Sequence, residues 1–324
     1  MMTRCNRRTR AIGGSAGKGR TSVMAATIMG AALSTSALPA LATENGVQEF
    51  PIGVDTQLPA LVPPPGESIL LNYTQFYQAR QLKDNDGNKA VPDFRLDVIA
   101  EAPKFVHTWT RVGGIDISSS IVQPIIHIDN QVIPGVVTGY ETNRADTDII
   151  PLMLHTVVGN GLHLELATNI WPKDGFYNVH NPASTGLNRF TWGQQIVTTW
   201  LPNPKWNLST STMLEFGGTN HTTGYRSGSY VNTDFHIGNR LFNALPKLEV
   251  GVQGYFMKQY TSDHLADGSL ADGTGNRGRV FGWGPQISYD AWPHGGIVFK
   301  YQHEMAVLNR AEGDHVWLQI AIPF

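Results

Sequence analysis

The sequence predicts an all-β protein: a transmembrane, antiparallel, up-and-down β-barrel of about twelve strands. Three observations carry that expectation. From Ser68 onward, apolar and polar residues alternate with a period of two over segments of roughly ten residues. The connections between these segments alternate between short and long. The last segment sets Val316, Leu318, Ile320, Ile322 and the terminal Phe324 on one face, an apolar row closing on an aromatic. A soluble antiparallel sandwich would also alternate, but neither the short–long rhythm nor the closing Phe belongs to it.

Composition agrees. Charged residues make up 15% of the 324, low against the usual quarter, and 34 glycines suit many turns. Residues 1–42 carry Arg4, Arg7, Arg8, Arg10, Lys18 and Arg20 and no acid. Setting those six aside takes the formal charge of −2 to −8 for the remainder, so no basic surface for nucleic acid is present. The single cysteine, Cys5, falls in the same leader, which leaves the remainder without disulfides or thiolate metal sites.

That leader reads as a signal peptide, residues 1–42. An apolar run from Val23 to Leu33 follows the basic stretch, and Ala40-Leu41-Ala42 offers cleavage after Ala42. The run is too short to cross a bilayer core, which needs about 20 residues. Arg7-Arg8 sits in a poor twin-arginine context, and no cysteine follows the cleavage site, so the general secretory route is expected and a lipoprotein is not. Nothing after Thr43 reads as a membrane helix. The expected location is the outer membrane, with its lipid and its assembly machinery as partners and Phe324 as the assembly signal.

Residues 43–67 form a Pro-rich arm (Pro51, Pro59, Pro63-Pro64-Pro65) without a usable period. It is expected to lie in the periplasm or to plug part of the lumen. The barrel occupies residues 68–324. Its segments start near residues 69, 93, 115, 147, 162, 189, 206, 229, 248, 278, 296 and 315. Short turns are expected at residues 112–114, 158–161, 202–204, 242–247 and 290–295. Long loops are expected at residues 83–90, 131–146, 172–188, 217–228, 261–276 and 308–314. Tyr73, Tyr77, Phe190, Trp192, Trp200, Trp206, Phe281, Trp283 and Tyr289 sit near segment ends, as interfacial girdles require.

Few motifs carry chemistry. Gly273-x-Gly275-x-x-Gly278 spells a dinucleotide fingerprint but runs into a strand, so it has no helix N-terminus to cradle phosphate. Asp84-Asn85-Asp86-Gly87-Asn88 lacks the Gly and Glu spacing of a calcium loop and reads as turn chemistry. None of the 11 histidines forms an HExxH pair, and His303 shares its outward row with Tyr301 and Phe299, without a serine beside it. No enzyme, metal or cofactor is expected.

The alternation assigns Asp97, Glu101, Glu165, Glu215, Asp234, His236, Arg240, Glu249, Lys300 and Glu304 to the lumen wall, with Arg80 and Arg95. With the turn centred between Ala244 and Leu245, Arg240 falls opposite Glu249 and His236 opposite Gln253. Such a set either braces the wall or forms a solute-contacting constriction. Seven acids against four bases give a net −3, which predicts weak cation preference and tolerance of neutral solutes.

Several stretches resemble a known family: Glu44-Asn45-Gly46, Pro51-Ile52-Gly53-Val54, Pro63-Pro64-Pro65-Gly66, Tyr225-Arg226-Ser227-Gly228, Gly278-Arg279-Val280-Phe281, Gly284-Pro285-Gln286, Lys300-Tyr301-Gln302-His303-Glu304 and Glu312-Gly313-Asp314. Together they resemble the outer-membrane family of the MetA-pathway of phenol degradation, over nearly all of residues 44–324. Ser229-Tyr230 departs from the acidic residue expected after Arg-Ser-Gly. The resemblance implies an outer-membrane transporter barrel associated with aromatic catabolism. The expected function is passive uptake of small, poorly charged, phenol-like compounds. The alternative is a structural or adhesive barrel acting through its long loops.

Overall fold

The computed structural model describes residues 47–324. The expected signal peptide, its cleavage after Ala42 and the first residues of the arm lie outside the described residues. Fourteen strands follow the arm: β1 (Ser68–Leu82), β2 (Arg95–Val112), β3 (Ile115–Val122), β4 (Ile125–Ile133), β5 (Val137–Arg144), β6 (Asp148–Val158), β7 (Leu162–Trp171), β8 (Thr191–Trp200), β9 (Trp206–Phe216), β10 (Tyr230–Asn239), β11 (Leu248–Gln259), β12 (Arg279–Trp292), β13 (Gly295–Leu308) and β14 (Ala311–Pro323).

Twelve of them close a ring. Every neighbouring pair is antiparallel, running β1-β2-β3-β6 and then in chain order to β14, which returns to β1 from Ile69↔Pro323 to Leu82↔Ala311. Ser68 and Phe324 exchange both main-chain hydrogen bonds (3.1 and 3.0 Å) at the seam. Each of the twelve predicted segments corresponds to a ring strand.

The other two strands correct the predicted loop at residues 131–146. β4 continues β3 past Gln123-Pro124 and pairs with the first half of β2, from Arg95↔Gln131 to Glu101↔Ile125, while β3 pairs with the second half. Pro124 has no N–H to give a ladder, which is why one long strand is interrupted there. Gly135, at φ 69°, turns the chain into β5. The predicted loop at residues 308–314 is also corrected: only Asn309-Arg310 separate β13 from β14. The polar residues that resembled a loop lie on a strand, where Asp314 accepts bonds from Tyr301 (2.5 Å) and pairs with His303 (2.8 Å) on the outer face.

The burial alternation is the reverse of a soluble sandwich. On β8, Thr191, Gln195 and Thr199 are buried, whereas Trp192, Ile196 and Trp200 are exposed. Polar residues inside and apolar residues outside suit a barrel surrounded by hydrocarbon. Phe190, Trp192, Trp200, Trp206, Trp283 and Tyr289 lie exposed on the outer face, as expected of girdles. Tyr73 and Tyr77 do not: both are buried inside. At the short-turn end, Val112-Gly113-Gly114-Ile115 holds both glycines at positive φ (58° and 85°), as a two-residue hairpin turn matching strand twist demands.

Candidate functional site

A Pro-rich segment makes few hydrogen bonds of its own. Enclosed in a barrel, its N–H and C=O groups must find partners on the wall. The arm does so chiefly on β9 to β13. Glu215 accepts the N–H groups of Glu49 and Phe50 (both 3.0 Å), and Asp234 accepts those of Gly53 and Asp55 (both 2.9 Å). The ammonium of Lys300 spends its three protons on Gly53 O (2.7 Å), Val54 O (2.8 Å) and Thr56 Oγ1 (2.9 Å). Gln302 also donates to Gly53 O, and Gln319 of β14 donates to Val54 O. Thr56 in turn donates to Gln286 of β12 (2.7 Å).

Between these bonds the arm buries apolar side chains on alternate sides. Phe50 and Val54 pack with Tyr73, Trp171, Met213 and Trp317, while Ile52 packs with Tyr230, Tyr255, Met257 and Val280. Burial of such side chains contributes about 1.5–3 kcal/mol apiece. Gly53 lies at φ 76°, and a Cβ there would collide with the side chains of Gln302 and Tyr255. Only glycine fits that point of the arm.

The opposite wall is different. There β2 and β4 turn small and apolar residues inward, including Leu96, Val98, Ala100, Ala102, Ile126 and Ile128. The arm does not fill the space in front of them. A cavity of ≈ 420 Å³ remains, with Tyr73, Trp171 and Trp317 at its aromatic sides and Lys104, Asp148 and Asn169 among its polar members. A space of this size and lining matches the usual form of a small-molecule pocket.

The connection 172–190 closes over the cavity. Asp146 accepts N–H groups from Gly175 (2.8 Å) and Leu187 (2.7 Å), and Asp174 accepts from Thr147. Arg189 donates to Val47 O (2.8 Å) and to Ser227. Burial pushes the Glu49 carboxyl well above the ordinary carboxylate range; Asp146 and Glu215 add repulsion, and Arg189 opposes them. Burial also raises Asp146, against the pull of its two backbone donors.

Of the predicted lumen residues, Glu165, Glu215, Asp234, His236, Glu249, Lys300 and Glu304 are buried inside the barrel. His236 does pair with Gln253 in the ladder, fixing the predicted register. Arg240 sits at the rim and binds Asp290 instead of Glu249. Glu304 accepts from Tyr77 (2.8 Å), Tyr255 (2.9 Å) and Gly313 N (2.7 Å), a bracing role.

Asp97, Glu101, Arg80 and Arg95 are corrections, because all four lie on the outer face. Asp97 pairs with Arg80 (2.7 Å), Arg95 with Asp129 (2.7 Å), and Glu101 accepts from Asn72 (2.8 Å) and Thr74 (3.0 Å). Their charge led to the opposite parity. The missed signal was Phe105 and Trp109, large aromatics that share their row and lie exposed. Reversing that row brings Lys104, absent from the prediction, into the lumen. Asp148 and Asn169 face it from β6 and β7.

A closed twelve-strand ring with an apolar outer belt and a polar inner row defines a transmembrane β-barrel of the outer-membrane kind. Residues 79–320 match the family described as the MetA-pathway of phenol degradation, and the chain belongs to that family. No curated protein matches the sequence. Among solved structures, the fold is similar to the COG4313 outer membrane channel from Pseudomonas putida F1, with a TM-score of 0.73 and 13% identity over 85% of this chain and 100% of that one. It is also similar to the beta domain of the Bordetella autotransporter BrkA, with a TM-score of 0.50 and 10% identity over 80% of this chain and 100% of that one.

Proposed function

We propose that the protein is an outer-membrane channel for passive uptake of small, poorly charged, phenol-like aromatic compounds, which enter by way of the cavity beside the docked arm. One observation carries the reading. Half of the lumen is latched shut by hydrogen bonds, and the other half keeps an apolar, aromatic-sided cavity of ≈ 420 Å³. A neutral aromatic solute exchanges water for apolar surface there. The association of the family with phenol degradation and the channel named for the Pseudomonas putida structure support the same reading.

In this reading the signal peptide is removed after Ala42, the short turns face the periplasm, and the assembly machinery reads the last strand with Phe324. The alternative, a structural or adhesive barrel, gives no role to an apolar space inside the wall. The test is accumulation of labelled phenol by intact Gram-negative cells, whose lipopolysaccharide leaflet slows apolar solutes. Cells producing the barrel are expected to take up phenol several-fold faster than cells without it. Equal rates would leave the adhesive reading in place.

A further inference from the structure

Lys104 and Asn169, both polar members of the cavity, have an incomplete set of partners. Lys104 faces the cavity from β2, yet among the described residues it makes no hydrogen bond and no ion pair within 4.0 Å. Asp55, Glu165 and Asp148 surround it at longer range, with Tyr73. Asn169 gives its amide protons to both oxygens of Asp148 (3.2 and 2.9 Å), which fixes the orientation of its carbonyl. That carbonyl oxygen, Oδ1, has no donor although the residue is only 1% exposed. Farther along the same inner row, Glu165 Oε2 is likewise buried without a donor.

The site therefore offers a donor at Lys104 and calls for a donor at Asn169. Asp148 links the two, bonded to Asn169 and within electrostatic reach of Lys104. A hydroxyl accepts and donates at a single atom without carrying charge. A carboxylate has no proton for Asn169 and would meet Asp55, Asp148 and Glu165. An ammonium has no lone pair for Lys104 and is repelled by it. A hydrocarbon leaves both groups unpaired. We infer that Lys104 and Asn169 form a hydroxyl-recognition subsite at the polar end of the cavity, which selects neutral, hydroxyl-bearing apolar molecules over the hydrocarbon or carboxylate of the same size. This rests on the proposal that the cavity holds the solute.

The test is equilibrium binding of labelled phenol, toluene and benzoate to the whole barrel in lipid nanodiscs, with empty discs as background. Phenol is expected to bind at least about tenfold tighter than toluene, the ratio one hydrogen bond to a charged group supplies, and tighter than benzoate. Lys104→Met and Asn169→Leu should each bring phenol down to the toluene level and leave toluene unchanged. Equal binding of phenol and toluene by the unaltered protein would overturn the subsite alone, and it needs no variant to fold. Benzoate binding as tightly as phenol would overturn it too, as would variants that keep the phenol preference. If none of the three compounds binds above background, the cavity reading itself fails and takes the subsite with it.

Discussion

The two sides of the lumen are built from the same alternating strands and do opposite things. On β9 to β13 the inner row is rich in charged and amide-bearing groups, and five of them are bonded to the arm: Glu215, Asp234, Gln286, Lys300 and Gln302. On β2 and β4 the inner row is mostly small or aliphatic, with Lys104 and Asn130 as its polar members, and the arm leaves space in front of it. The difference follows from hydrogen bonding. A stretch of backbone docked in a lumen must have its polar groups satisfied, so one wall supplies partners. The other wall, with few partners for a peptide, leaves a space an apolar solute can occupy. The five groups that hold the arm therefore mark where the protein keeps itself closed.

The largest effect on that contrast should come from the latch. Lys300→Met takes the donor from Thr56 Oγ1, leaves Gly53 O and Val54 O with only their Gln302 and Gln319 donors on the wall, and removes the cation near the Asp234 carboxylate. Breaking a buried charge cluster from one side costs about 3–5 kcal/mol. The arm should undock, raising ion conductance in planar bilayers several-fold and exposing residues 47–67 to protease. Unchanged conductance and protection would show that the latch does not hold the arm.

A smaller effect should come with pH. The raised carboxyl of Glu49 means that docking is favoured while it carries its proton. That contribution is complete below the ordinary carboxylate range and is lost as pH rises through the raised value. Conductance should therefore increase with pH across that window, and Glu49→Gln should flatten the dependence. A fall in conductance with pH would reverse the assigned sign.

The smallest effect should come from the outer face. The Arg80–Asp97 pair is solvent-accessible, worth about 0–1 kcal/mol at most, and has no access to the lumen. Replacing both residues by Ala should leave the reversal potential under a salt gradient unmoved. A shift would return this row to the pore wall.

The fold was legible because the alternation, the turn glycines and the outward aromatics depend on local sequence. All twelve ring strands could be read from it. The hairpin β4–β5 was hidden by Pro124, which interrupts a strand without ending it. The site was half legible. Glu215, Asp234 and Lys300 could be assigned to the lumen by parity, but their partner is a segment more than 160 positions away in the chain, and no periodicity reports such a contact. On β2 both rows contain apolar residues, so charge suggested one parity and Phe105 with Trp109 required the other. That choice concealed Lys104 and the cavity with it. Removing Asp97, Glu101, Arg80 and Arg95 cancels two acids against two bases, so the predicted excess of acid survives among the residues that remain.

The most direct measurement places bulk in the cavity and leaves the latch alone. Ala100 and Ala102 line the space from β2 and take no part in holding the arm by hydrogen bonds. In Ala100→Phe/Ala102→Phe, two rings would occupy the volume an aromatic solute needs. Uptake of labelled phenol by intact cells should fall at least about tenfold, the factor set by about 1.4 kcal/mol of lost access, while heat-modifiable migration on detergent gels shows the barrel still folded. Phenol uptake at the unaltered rate through a folded, filled barrel would contradict the account.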